Sequence, residues 1–334
     1  MTEATLPSDP AEFTASDWQH LFTLRALSHC LLVTDEEDPP SLWSAWPAFD
    51  LSDFKVEEDF VWQVPNLSLD LHMESTFSKV IDQYSQSGYS TSSATLGVPG
   101  IASGTVEHSE KHSTTSTFAK TTYFSTAMVR VPHLQIAFVE EKLKLSEPCL
   151  DSLDTALSAS TNTEQYELLL AWLKKYGYWA CTQLELGGLY FATNSREVTS
   201  MSEAKCHSED TKVSFSANLQ AFDVPVSGGA SHEEGSEECR SKGIEIGTAD
   251  LSIQLIGGNP AYMKDYPKWA GSMEGQYQDW HIINTGKLVP IINFIPDQKR
   301  RFQVANLIQE FPSSTYDAQY IRAILDEQRS LLND

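Results

Sequence analysis

The sequence predicts one large α+β unit with a few appended helices. Three observations carry that class. The chain has 334 residues, 41% of them hydrophobic, enough for one sizeable core. Strand-type alternation and a well-capped helix follow one another along it. Two long polar stretches, rich in Ser, Thr and Gly, interrupt that order and lead into strand patterns.

Residues 1–55 read as a helical or irregular extension. Trp18, Leu21, Phe22 and Leu27 stand near helical spacing between Asp17 and Val33, and an acidic run into Pro39-Pro40 closes that helix. Phe60 to Leu71 reads as strand. The first polar stretch runs from Ser85 to Ser125, with Gly97, Gly100 and Gly104 inside it. Ala127, Val129 and Val131 then alternate with Met128 and Arg130, and Leu134, Ile136 and Phe138 continue the pattern. Thr161 to Glu164 has capping-box form. Tyr166, Leu169, Leu170 and Leu173 make a helical stripe behind it, and Gly177 stops the helix. Ala180, Thr182, Leu184 and Leu186 form one face of a strand that runs into Gly187-Gly188.

The second polar stretch, Ser195 to Ile246, contains the strongest alternation. Val213, Phe215, Ala217, Leu219 and Ala221 stand against Ser214, Ser216, Asn218 and Gln220. Periodicity alone reads this as a half-buried strand, and the first polar stretch as a loop. Leu251, Ile253 and Leu255 alternate into Gly257-Gly258. Val289 to Ile295 reads as a buried strand and Asp317 to Leu332 as a C-terminal amphipathic helix. The organisation is thus 1–55 extension, 56–300 main domain, 301–334 helical tail.

A net charge of −23 and a pI near 4.7 disfavour nucleic acid and simple docking on anionic lipid. No HExxH, GxSxG, GxxxxGK[ST] or GxGxxG occurs, so an enzyme is not expected. The five cysteines have no framework spacing. Cys206-His207 with His232 and Cys239 is the best metal candidate but fits no standard zinc pattern, so neither metal nor cofactor is expected. No basic-then-apolar leader and no run of about 18 apolar residues is present. The expectation is a soluble protein made in the cytoplasm without a signal peptide, and released by a non-classical route if it leaves the cell.

Three stretches carry a family resemblance. The first is Ser125 to Val131 through Leu145-Ser146-Glu147-Pro148 and Leu153. The second is Tyr166 to Gly188, with Tyr176, Gly177, Tyr178 and Trp179 ahead of the diglycine. The third is Ile256 to Pro260 with Trp269, Ser272 and Leu288 to Ile292. Their order resembles the membrane attack complex/perforin (MACPF) domain of the wider MACPF/cholesterol-dependent cytolysin superfamily, in the layout of its leaderless fungal members. The family's Thr-His pair is Tyr178-Trp179 here.

The resemblance implies a central bent and twisted antiparallel four-stranded sheet, flanked by two helical clusters that unfurl into β-hairpins. It implies a pore-former that oligomerises on a target lipid membrane as a ring or arc, with an aegerolysin-like partner recognising lipid. The alternative is a non-lytic member acting by membrane binding or oligomerisation in defence or development. By resemblance, Tyr176, Gly177, Tyr178 and Trp179 form the signature strand. Gly187, Gly188, Gly257 and Gly258 serve sheet opening. Phe118, Tyr123 and Phe124 belong to the first inserting hairpin; Val213, Phe215, Ala217, Leu219 and Ala221 belong to the second. Glu233, Glu234, Glu237 and Glu238 with His232 fall near the second tip, where acidification is expected to ease insertion.

Overall fold

The computed structural model describes Pro7, Val224 and residues 9–32, 42–65, 70–77, 79–87, 117–222, 239–241 and 243–311. Two 22-residue strands organise it, β3 (Thr117–Phe138) and β4 (Trp179–Ser200). They pair antiparallel from Thr117↔Ser200 to Ala137↔Gln183. Beside β3, β1 (Phe60–Gln63) pairs the lower end and β2 (Leu71–Thr76) the upper end. Beside β4, β6 (His281–Pro290) pairs the lower end and β5 (Ile253–Ile256) the upper. The sheet therefore has six strands but is four wide at either level, and it curls as a half-barrel.

Two expected strands change bounds. Phe60 to Leu71 is not continuous: Val64-Pro65 leaves the ladder, and Pro65 has no N–H to give it. Val289 to Ile295 is strand only to Pro290, and Ile291–Phe294 is a 3-10 turn. Pro290 lacks a donor, and the Ile291 N–H goes to Tyr178 O at 2.9 Å.

The lower half holds the main core. Helix α1 (Ala15–Leu24) starts on a Thr14–Asp17 capping box and buries Trp18, Leu21 and Phe22. It ends well before Val33, because Ala26 turns the chain at φ +52 and Leu31 N then binds Trp179 O at 2.7 Å. Trp18 and Phe22 each meet Phe60 edge to face at 5.1 Å, so this N-terminal segment shares the sheet's core. Helix α2 (Lys79–Gln86) lies against the upper strands, and α3 (Glu147–Leu157) packs on α4 (Asn162–Tyr176) below.

Thr161 caps α4, whose buried face is large and apolar: Tyr166, Leu169, Trp172, Leu173 and Tyr176. Trp172 Nε1 and Tyr176 OH donate to Cys149 O and Pro148 O, both at 2.9 Å. The expected signature strand at 176–179 is instead a junction: Tyr176 closes α4, Gly177 turns, and Trp179 opens β4. Gly177 has φ +92, and a Cβ there would stand 2.5 Å from Cys30 Cβ. After β6, α7 (Gln298–Glu310) buries Val304, Leu307 and Ile308. The helix expected at Asp317–Leu332 lies outside the described residues.

Candidate functional site

The two diglycines, some seventy residues apart in sequence, meet at mid-sheet. Here β4 changes partner: Gly187 stands opposite His281 of β6, and Leu189 opposite Ile256 of β5. The β3–β4 register also shifts here, between Pro132 and Leu134. There is no room for side chains. A Cβ on Gly187 would stand 2.1 Å from Val131 O, and one on Gly188 2.4 Å from Met273 Sδ. Gly257 and Gly258 have φ of +73 and +63, and a Cβ on Gly257 would stand 2.7 Å from Gly187 O. A short helix, α6 (Tyr266–Gly271), clamps the crossing: Trp269 Nε1 donates to Gly257 O at 2.9 Å.

Above this crossing lies α5 (Met201–Gln220), twenty residues folded from the second polar stretch. The strand read by alternation over Val213–Ala221 is therefore helix to Gln220, with Ala221 as its C-cap. A helical cap explains its start. Ser200 Oγ accepts from Glu203 N at 3.2 Å, and Glu203 Oε2 accepts from Thr199 N at 2.6 Å. Rolled into a helix, the alternating residues scatter. Phe215 and Leu219 are buried, Val213 is half-buried, and Ala217 and Ala221 are exposed.

The buried face of α5 is mostly small or polar, and hydrogen bonds hold it. Ser208 Oγ meets Ser75 Oγ at 2.9 Å and Tyr123 OH at 3.1 Å. His207 Nε2 lies 3.3 Å from Asn194 O, and Asn194 Nδ2 donates to Thr211 Oγ1 at 3.4 Å. Burial pushes the His207 imidazole below its usual pKa. Asp210 Oδ1 accepts three backbone N–H groups of the returning chain, Gly247, Thr248 and Ala249, at 2.8, 3.0 and 3.3 Å. Phe215 is its one large buried aromatic, 5.9 Å from the Tyr190 ring.

The first polar stretch is partly visible. Phe118, Tyr123 and Phe124 are already part of β3 rather than of a helical cluster, because Thr121–Thr126 pair with 193–198 of β4. Ahead of them, α2 is anchored by Asp82, which accepts from Thr126 Oγ1 at 2.7 Å and Gln86 Nε2 at 2.6 Å. Burial raises the Asp82 carboxyl above its usual pKa, against those two hydrogen bonds. Residues 88–116, and Glu233, Glu234, Glu237, Glu238 and His232, lie outside the described residues.

The cysteines depart from the sequence reading. Cys206 and Cys239 form a disulfide with Cα atoms 5.6 Å apart, so the metal candidate built on them does not stand. Cys30, Cys149 and Cys181 are free and buried, and burial pushes the Cys149 and Cys181 thiols up to about 12. Among the described residues no group of His, Cys, Asp or Glu is arranged to hold a metal, and no helix is long and apolar enough to cross a membrane. Sequence reasoning missed Asp82, Ser208 and Asp210; Ser208 and Asp210 were signalled only by polarity inside the second polar stretch, and Asp82 lies just ahead of the first.

A curled sheet of two long strands, bent at paired glycines and carrying helices on its upper half, defines the MACPF class of fold. The family model of the fungal MACPF-like domain matches residues 57–304, and the chain belongs to that family. No curated protein matches the chain. Among solved structures it is similar to GNIP1Aa from Chromobacterium piscinae, at 13% identity and TM-score 0.46, over 89% of this chain and 55% of that one. It is also similar to a MAC/Perforin-domain protein from Bacteroides thetaiotaomicron, at 12% and 0.43, over 92% and 63%. A third is Astrotactin-2, a vertebrate-specific perforin-like membrane protein, at 9% and 0.40, over 85% and 44%. The chain thus spans less than two thirds of each of these structures.

Proposed function

We propose that this protein forms pores: copies assemble on a target membrane as a ring or arc, and the α2 and α5 regions unroll into amphipathic β-hairpins that close a barrel. One observation carries the reading. The α5 segment has a strand's alternation but is stored as a helix, on a face secured by polar contacts rather than a large apolar stripe. Unrolled, Val213, Phe215, Ala217, Leu219 and Ala221 share one face and polar residues the other, as a barrel between lipid and wet lumen requires. Thr211 to Val224 exceeds the 9–11 residues of a tilted bilayer-spanning strand. Pairing between hairpins satisfies the backbone and leaves no edge in lipid. The glycines at mid-sheet give the backbone freedom to flatten as the hairpins leave. The acidic surface argues against charge-driven docking on anionic lipid, so a lipid-recognising partner of aegerolysin type completes the proposal.

The test is dye release from vesicles of varied lipid composition, with and without such a partner. A tether built from Asn194→Cys and Thr211→Cys, whose side chains already touch, is expected to abolish release when oxidised, while each single variant remains active. Equal release by the tethered protein would contradict hairpin insertion from α5.

A further inference from the structure

The Cys206–Cys239 disulfide joins the start of α5 to the chain returning toward β5. Its position can be measured against the sheet below. β4 and β5 pair as Leu189↔Ile256, Tyr190↔Leu255, Phe191↔Gln254 and Ala192↔Ile253, one residue up for one residue down. Cys206 lies 14 residues past Ala192, and Cys239 lies 14 residues before Ile253 (206 − 192 and 253 − 239). If both strands continue upward in this register, the two cysteines stand directly opposite each other.

We infer that the disulfide is a register staple for the second inserting hairpin, and not a lock that must be broken before insertion; this rests on the pore reading above. A lock would join groups that insertion separates, whereas this bridge joins two positions that insertion brings face to face. Their Cα separation of 5.6 Å is close to the roughly 4.5–5.5 Å between opposed residues of an antiparallel pair. The hairpin therefore accepts the bridge it already has in the stored form.

The same register assigns faces. Cys206 shares its parity with Ser208, Asp210, Lys212, Ser214 and Asn218, so the bridge lies on the polar, lumen side. Val213, Phe215, Ala217, Leu219 and Ala221 take the lipid side. A slip of one residue would put the two sulfurs on opposite faces, so the bridge holds the two strands in the matched parity that turns Val213, Phe215, Ala217, Leu219 and Ala221 to one side. Continued in this register, the chain would fold back between positions 222 and 223, so the spanning strand ends at Phe222 rather than Val224, and Glu233, Glu234, Glu237 and Glu238 fall on the returning strand rather than at the tip expected for them. The 17 residues from Cys206 to Phe222 are more than the 9–11 that one tilted strand needs.

The experiment uses the full oxidised chain on dye-loaded phosphatidylcholine, sphingomyelin and sterol vesicles, with and without a lipid-recognising partner. It is run beside Cys206→Ser/Cys239→Ser and beside reduced wild type. The expected result is that oxidised protein releases dye at least as fast as the double variant. Peptide mapping of the washed, vesicle-bound oligomer should then recover residues 206 and 239 still joined. Release only after reduction, or only by the double variant, makes the bridge a lock and overturns the inference while leaving the pore reading intact. Absence of release in all three folded samples overturns the pore reading, and the inference with it.

Discussion

Helices α4 and α5 begin alike and are held differently. Each starts on a hydroxyl cap with a glutamate at the third position: Thr161 with Glu164, Ser200 with Glu203. Behind the cap, α4 buries three aromatics and two leucines. The longer α5 buries small and polar groups, with Phe215 and Leu219 as its main apolar anchors. The difference lies in how readily each face can be released. A large apolar stripe leaves the core only when the protein unfolds. A face of hydroxyls, an imidazole and a carboxylate can exchange its partners for water at small net cost per bond.

The sharpest way to break this comparison is to weaken each helix in turn. Trp172→Ala in α4 is expected to cost about 3–5 kcal/mol, read by denaturant unfolding as loss of the whole fold. Gly187→Ala comes next, at about 3 kcal/mol, because its Cβ would stand 2.1 Å from the Val131 carbonyl oxygen and the sheet must shift. A neutral result there would show that the crossing is loose.

Asp210→Ala is expected to cost about 2 kcal/mol through its three lost amide contacts. Its signature is local: amide exchange at Gly247–Ala249 should quicken while α4 stays protected, and vesicle permeabilisation should speed up. Global loss of protection would place α5 in the same cooperative unit as α4.

Acid is the mildest probe. Burial lowers the pKa of His72, His133, His207 and His281 below the usual 6.5. Each therefore binds its proton more readily once freed, so stability should fall as pH drops through and below 6.5. Asp82, whose pKa is raised, acts in the opposite sense in the carboxylate range above 3.8. His207 faces Arg196 and Asp210 as well as the Asn194 carbonyl. His207→Gln should flatten the thermal stability profile between pH 7.5 and 5.5 at α5 alone. An unchanged profile would remove His207 from the acid response.

What the sequence made legible follows the same division. In α4, period, cap and Gly177 all agree, so its bounds read directly. Each diglycine was visible on its strand, but their mutual contact was not, since no local signal joins Gly187 to Gly257. The α5 segment misread because its alternation describes a strand while its cap and buried partners build a helix. Local pattern and folded structure conflict there, which is the conflict the proposed second use of the segment would produce. The disulfide was hidden for another reason: its 33-residue separation has meaning only against the β4–β5 register.

The central claim is that α5 becomes a strand in the membrane, and a labelling scan tests it most directly. Single cysteines from Val213 to Ala221 would carry a polarity-sensitive fluorophore, followed as vesicles are added. The account predicts blue-shifted, brightened emission at 213, 215, 217, 219 and 221, and water-like emission at 214, 216, 218 and 220. A three-to-four residue period, with 215 and 219 shielded and 217 exposed as in the stored helix, would contradict it.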